Sequence, residues 1–365
     1  MRFLFLNQYF PPDPAPTGIL LRELGDHLAK QGHEVDCIAS GQDYRGSKKG
    51  SRIVREARAL VSIFFRGLCA RRPDVVISGT SPPCLLAAAA LIAKRHRAKS
   101  AHWAMDLYPE LALALGELRD SFATRRIAAL MGWAYRRTDL VVALDDDMAS
   151  HLKKYHLAAE VIAPWLPQSL ASDADSSALP APSSEFVWIY SGNLGRAHEW
   201  ATLLDAQAIL EKRVSPWRLV FQGGGPSWPL AQARARELGL TRCEWKDYAS
   251  ENELRDSLLA CHALVATQKP ETRGLLWPSK LAMLRALPRP LVWIGSPDGA
   301  IARELRALPH AGVFAPGHAQ ELAGWMERLG ASENFTAPRA ADVAAERERG
   351  LEKWSRLLLP ANAAN

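Results

Sequence analysis

Several short stretches place glycines, cations and carboxylates where an anion or a hydroxyl can be handled. In "FVWIYSGNLGRAHEW", an apolar strand-like run breaks into Ser191-Gly192-Asn193-Leu194-Gly195, and a helical pattern follows. Glycine there lets backbone N–H groups approach a ligand. Asn193, Arg196 and His198 add an amide, a cation and an imidazole. Any strand-to-helix turn also favours glycine, so the neighbouring stretches decide between a plain turn and a site. In "APTGILLREL" the Thr17-Gly18 pair opens a helix after the first apolar run. Its N–H groups can face an anion at the helix N-terminus, and Thr17 can also cap that helix. "GLLWPSKLAMLRAL" offers Ser279 as an N-cap and Lys280 as an ammonium at the start of another helix. "VFQGGGPSWPL" ends an apolar run in three glycines, the first being Gly223, which suits a tight turn or a close approach to a ligand.

The carboxylate of interest is Asp106 in "AHWAMDLYPE". It follows an apolar run, at what should be the carboxyl end of a strand, where it can orient or deprotonate an acceptor hydroxyl or cap the next turn. His102, four residues upstream and on the same side by period two, ranks second, since a lone histidine in an apolar strand is more often packed. Asp145, Asp146 and Asp147 read as capping or solvated. Consecutive side chains point different ways and no partner ligands accompany them, so no metal site is expected.

The elements that must position these groups alternate. Strand-like runs such as "RFLFLNQYF", "HEVDCIAS", "PDVVISGT" and "DLVVALD" take turns with helical stretches. The pattern implies an α/β fold with doubly wound parallel sheets. It pauses at "LPQSLASDADSSALPAPSSE", rich in Ser, Ala, Pro and Asp, then begins afresh. The division expected is a first domain over 1–165, a linker over 166–185, a second domain over 186–343, and a closing helix within 344–365 that packs back on the first domain. A chain of 365 residues suits two cores. In such sheets ligands gather at the carboxyl ends of the strands.

Composition narrows the classes. With 48% hydrophobic and 23% charged residues the chain is of globular type, and no apolar run reaches the roughly 18 to 20 residues of a membrane span. The opening "MRFLFLNQYFPPDP" reads as a buried strand, not a signal peptide. Five scattered cysteines without a C-x-x-C pair suggest neither disulfides nor zinc, and the expected compartment is the cytoplasm. Residues 1–165 hold 23 Lys and Arg against 17 Asp and Glu, whereas residues 166–365 hold 22 of each, so the whole positive excess lies in the first half. It concentrates in 45–72, where Arg52, Arg55, Arg58 and Arg66 alternate with apolar residues. That segment is suited to peripheral contact with an anionic membrane, or to packing on the sheet as a surface helix. No recognised motif supports nucleic-acid binding.

The blocks "NQYFPPDPAPTGILLRELGDHLAKQGHEV", "AMDLYPE", "YSGNLGRAHE", "VFQGGG" and "WPSKLAMLRALPRPLVWIG" stand in the order of their counterparts in retaining glycosyltransferases of family 4, which the chain resembles over nearly its whole length. The nearest likeness is to the bacterial surface-polysaccharide branch. The resemblance implies a GT-B fold, two Rossmann-like domains facing across a cleft, the second holding a nucleotide-sugar and the first the acceptor. It implies a metal-independent enzyme that moves a sugar, from a UDP-sugar, to a hydroxyl of a surface glycan or glycolipid, with no cofactor; the basic segment 45–72, if it meets lipid, would set that enzyme at the inner face of the membrane. Arg196 and Lys280, with Asn193 and His198 as hydrogen-bonding partners, would then stand beside the departing diphosphate, where negative charge develops. Asp247 or Tyr248 in "EWKDYAS" would lie near the base.

Two departures accompany the likeness. Asn193 and His198 stand where the broader family has an Arg and a Lys. Leu275 and Met283 stand where it has a pair of glutamates that bind sugar and ribose, with Glu271 as a substitute for one of them after a local shift. A non-catalytic nucleotide-sugar-binding subunit, a GT-B epimerase and a phosphorylase with a lysine-bound pyridoxal group are the rival readings.

Overall fold

The computed structural model describes residues 1–41, 51–170, 185–330 and 340–360. The expected linker therefore lies outside the described residues from 171 to 184, as do positions 45–50 of the basic segment. Within the described chain two compact units are present. The first comprises Met1–Ser169, Gly274–Trp277 and Ala345–Asn365, and the second Leu170–Arg273 and Pro278–Ala344.

In the first unit the order is β1 (Arg2–Leu6), α1 (Pro16–Lys30), β2 (Glu34–Ile38), α2 (Arg52–Leu68), β3 (Val75–Ser78), α3 (Leu85–His96), β4 (Lys99–Trp103), α4 (Glu110–Ala114), α5 (Phe122–Tyr135), β5 (Leu140–Ala143), α6 (Asp146–Leu152) and β6 (Glu160–Val161). The strands form one parallel sheet in the order β2-β1-β3-β4-β5-β6. Runs such as "VVIS" are buried at every position because helices cover both faces. Register assigns the faces. Leu4 pairs with Val76, Leu6 with Ser78, Val76 with Ser100 and Ser78 with His102, so these side chains share one face. Ile63 of α2 and Ala89 and Ile92 of α3 pack there. On the opposite face Gly25 of α1 lies against Phe5 and Val35.

The second unit runs β7 (Phe186–Asn193), α7 (Ala201–Lys212), β8 (Trp217–Gly224), α8 (Trp228–Glu237), β9 (Cys243–Lys246), α9 (Glu251–Leu259), β10 (Ala263–Thr267), α10 (Lys280–Ala286), β11 (Leu291–Ile294), α11 (Ala300–Arg306), β12 (Ala311–Phe314) and α12 (Ala319–Gly330). Its sheet is also parallel, in the order β12-β11-β10-β7-β8-β9. Trp188, Tyr190, Leu219 and Phe221 form a core with Leu203 of α7 and Leu322 and Met326 of α12. The buried Trp188 indole donates to Gln207, whose amide donates to the Trp217 carbonyl, so that polar pair is satisfied inside the core.

The last helix, α13 (Ala340–Leu358), belongs from Ala345 onward to the first unit. Its Trp354 ring stands 5.0 Å from Trp103, and Arg347 pairs with Glu23 at 3.2 Å. Glu23 also accepts from the Trp165 indole.

Candidate nucleotide-diphosphate site

Strand order locates the site before any side chain is considered. In the second sheet β8 and β9 follow β7 on one side, and β10 then appears on the other. That reversal leaves the carboxyl ends of β7 and β10 splayed, the place where doubly wound sheets bind ligands. Gly192 and Asn193 end β7 and Thr267 ends β10.

Lys280 reaches this point from the start of α10. Its ammonium lies 3.5 Å from the centre of the Tyr190 ring, and a Cβ on Gly192 would stand 3.4 Å from it. The Nζ atom is buried with no hydrogen-bond partner among the described residues. Desolvation pushes its pKa well below the usual lysine value. A buried ammonium without an acceptor is strongly unfavourable, and an anion supplies what is missing.

His198 closes the other side. Its Nδ1–H donates to the Thr267 carbonyl at 2.8 Å, tying the turn after β7 to the end of β10. Burial, then the charge of Lys280, bring its pKa down to about 3. The neutral ring with that tautomer presents a lone pair at Nε2. The hydrogen-bond donor expected of His198 therefore exists only when the ring gains a second proton. A second tie joins the same turns, since the Lys269 N–H donates to the Ala197 carbonyl at 2.8 Å. That contact brings the turn holding Glu271 beside the stretch 195–198. Glu271 and Arg196 are both exposed at its surface.

Gly223 serves packing. Its φ is +136°, and a Cβ would stand 2.3 Å from the Gly192 carbonyl oxygen, so the ends of β7 and β8 meet backbone to backbone. Asn193 is exposed, with its carbonyl accepting from the Tyr190 hydroxyl at 3.0 Å. Tyr248 lies edge-on to Gly224, and Asp247 is exposed beside it. Ser279 occupies the N-cap position of α10 in helical geometry and makes no capping hydrogen bond, contrary to the expected role. The cause is local. The preceding Trp277-Pro278 brings the chain in with Ser279 already helical, and its side chain points to solvent.

The first unit has its own reversal, between β1 and β3. Thr17 does not cap α1: Ala15 is the N-cap and Pro16 the first helical residue, because proline is pre-set for that position. Thr17 and Gly18 thus lie within the first turn, whose N–H groups have no intrahelical acceptor. Gly18 packs under the Tyr9 carbonyl, where a Cβ would stand 2.4 Å from the oxygen. Residues that the sequence reading passed over line the same reversal. Asn7 is fully buried with its Oδ1 unpartnered among the described residues. The Ser81 hydroxyl donates to the Gln8 side chain at 2.7 Å, and the Thr80 hydroxyl accepts from the Met105 N–H at 2.8 Å. Their signal was position: each follows β1 or β3 directly.

Asp106 is half-buried and forms an isolated antiparallel bridge with Leu276. The Leu107 N–H donates to the Leu275 carbonyl at 2.8 Å. Desolvation brings the Asp106 carboxyl up to about 6. His102 is separated from it. The strand period ends at Trp103, and His102 points under α5, fully buried, bonded through Nδ1 to the Ser78 hydroxyl at 2.9 Å and edge-on to Tyr135. Burial lowers its pKa to about 4, so it is a neutral packed ring. Asp145 caps α6 through the Met148 N–H at 2.7 Å. Leu275 is buried, and Met283 lies part-exposed on α10.

Residues 17–166 match the family model described as Glycosyltransferase Family 4. A Pseudomonas aeruginosa protein named "Probable glycosyltransferase WbjE" is 26% identical over 243 residues, a match that spans 64% of this chain and 60% of that protein. Among solved structures, WaaG, a glycosyltransferase involved in lipopolysaccharide biosynthesis, aligns with a TM-score of 0.65 at 15% identity over 99% of this chain and 100% of that one. HepE of Anabaena, solved in complex with UDP, aligns with a TM-score of 0.64 at 17% identity over 98% and 99% of the two chains. The two parallel sheets and their helices thus have the GT-B architecture.

Proposed function

From a chain that carries a Glycosyltransferase Family 4 domain over residues 17–166, we propose a retaining glycosyltransferase that moves a sugar from a nucleotide-sugar, a UDP-sugar, to a hydroxyl of a bacterial surface glycan or glycolipid. The observation that carries the reading is the buried Lys280 ammonium, which has no acceptor among the described residues, at the strand reversal of the second unit. A diphosphate satisfies that ammonium with charge-assisted hydrogen bonds. The bonds strengthen as the glycosidic bond breaks and charge collects on the departing phosphate, which is the condition for catalysis. Arg196, at the surface of the same turn, adds charge to the leaving group. The UDP in the HepE complex supports this donor class.

The first unit takes the acceptor in this reading. Asp106 orients the acceptor hydroxyl, and with a carboxyl brought up to about 6 it is ionised at neutral pH. The departing phosphate accepts the proton, so Asp106 positions the nucleophile without having to be a strong base. The mechanism invokes no metal and no organic cofactor.

The buried Leu275 and the Met283 in place of glutamates favour one second reading, a subunit that binds nucleotide-sugar without turnover. Mass spectrometry over a panel of nucleotide-sugars, with and without a glycan acceptor, separates the two. The proposal expects release of nucleoside diphosphate from one donor, stimulated by acceptor. Binding of a nucleotide-sugar with no release from any donor overturns it in favour of the second reading.

A further inference from the structure

The three helices on one face of the first sheet carry an unusual surface. α2 packs along α3, and α3 along α5. Gly67 makes the first contact close, since a Cβ there would stand 2.5 Å from Ile92. The Gly67 carbonyl also accepts from the His96 ring at 2.9 Å. The inner sides meet the sheet at Leu4, Leu6 and Val76 and at His102. The outer sides do not hide their apolar residues. Ile53 is 79% exposed, Val61 54% and Phe65 61% on α2; Leu91 is 42% exposed on α3; Phe122 is 71% and Leu130 43% exposed on α5.

Charge on these helices is nearly all of one sign. Together they contain eight Lys and Arg and a single acid, Glu56. Arg58, Arg66, Lys94, Arg95, Arg125 and Arg126 are exposed. Arg66 donates to the Ala39 carbonyl, Arg125 pairs with Asp120, and the Arg126 guanidinium lies 4.7 Å over the Phe122 ring. Apolar side chains standing out singly among arginines are suited to the boundary between lipid headgroups and acyl chains. An acid-poor cationic face is drawn to anionic headgroups.

We propose that the α2-α3-α5 face docks on an anionic lipid bilayer, with Phe65 and Phe122 entering the headgroup boundary and Arg58, Arg95 and Arg126 meeting phosphates. A second copy of the chain fits this face poorly, because a two-fold contact would set the same cations against one another. The inference widens the basic segment read from sequence to α3 and α5, which lie close to it only in the fold. It stands apart from the donor reading, since it uses none of those residues.

The test is co-sedimentation of the full chain with vesicles of phosphatidylcholine alone or mixed equally with phosphatidylglycerol. Binding to the mixed vesicles only, weakened by salt, is expected. Two variants, Phe65→Ser with Phe122→Ser, and Arg58→Glu with Arg95→Glu and Arg126→Glu, should each lower partition about tenfold or more at unchanged melting temperature. Because all five positions are exposed, the pair guards against loss of fold in either one. Equal binding to both vesicle types, or binding that neither variant changes, overturns the proposal. So does a concentration-dependent dimer that both variants abolish in a chain that leaves vesicles untouched.

Discussion

The ammonium of Lys280 rests 3.5 Å from the centre of the Tyr190 ring and has no hydrogen-bond acceptor among the described residues. The ring face returns about 0.5 to 2 kcal/mol, less than the several kcal/mol that burying an ammonium costs. The ligand-free protein therefore carries an unmet electrostatic cost at this position. Lys280→Met should raise the melting temperature without ligand while lowering UDP affinity about tenfold or more, as read by thermal unfolding and isothermal titration calorimetry. Unchanged UDP affinity would remove Lys280 from the phosphate site.

Proton linkage follows from the same groups. Lys280 is held well below its ordinary pKa, and His198 at about 3, by burial. A bound diphosphate raises both, so binding takes up protons and the contribution of these groups to affinity falls as pH rises between their free and bound pKa values. Calorimetry of UDP binding in two buffers of different ionisation enthalpy, run over a series of pH values, should show a proton-uptake component that grows as pH approaches the lowered pKa of free Lys280 and that is reduced in Lys280→Met. Proton release, or uptake that Lys280→Met leaves intact, would count against this wiring.

The alternation of strands and helices was legible because buried parallel strands are apolar along their whole length, and "FVWIYSG" became β7 almost residue for residue. The glycine turns were legible too, since the φ of Gly192 and Gly223 favours glycine and a Cβ on Gly223 would meet the Gly192 backbone. Long-range relations were not. Sequence spacing does not reveal that Gly274–Trp277 packs with the first unit, where Leu275 and Leu276 meet Leu107 and Asp106. Nor does it fix the tautomer of His198, which depends on the carbonyl of Thr267, sixty-nine positions away. The capping roles expected of Thr17 and Ser279 failed for local reasons: Pro16 claims the first helical position of α1, and Ser279 enters α10 already helical.

Asp106 offers a pH signature. Its carboxyl is raised from 3.8 to about 6 by desolvation. Turnover should rise with pH through about 6 as the carboxylate forms, then level off, and Asp106→Asn should lower turnover and abolish that limb. The stability sign runs the other way. The folded state binds the extra proton, so this group's contribution is complete below 3.8 and lost as pH rises through about 6. Asp106→Asn should gain stability relative to the native chain at pH 7, and a mutant less stable at pH 7 than at pH 4 relative to native would contradict the assignment.

Gly223→Ala tests the backbone packing that shapes the turn. At φ +136° and 2.3 Å from the Gly192 oxygen, an added methyl costs about 1 to 3 kcal/mol and displaces Gly192 from Lys280. Both melting temperature and UDP affinity should fall. Gly239→Ala, at φ +66° with nothing within 4 Å of the new methyl, should lower the melting temperature less and leave UDP affinity alone. Equal effects of the two substitutions on affinity would show that Gly223 has no special place at the site.

The central claim is that the strand reversal of the second unit holds a nucleoside diphosphate on Lys280. A crystal structure of the protein with UDP tests it most directly. The account predicts a phosphate oxygen within about 3.2 Å of Lys280 Nζ, with the ammonium drawn off the Tyr190 ring. UDP bound elsewhere, with Lys280 still seated on that ring, would contradict it.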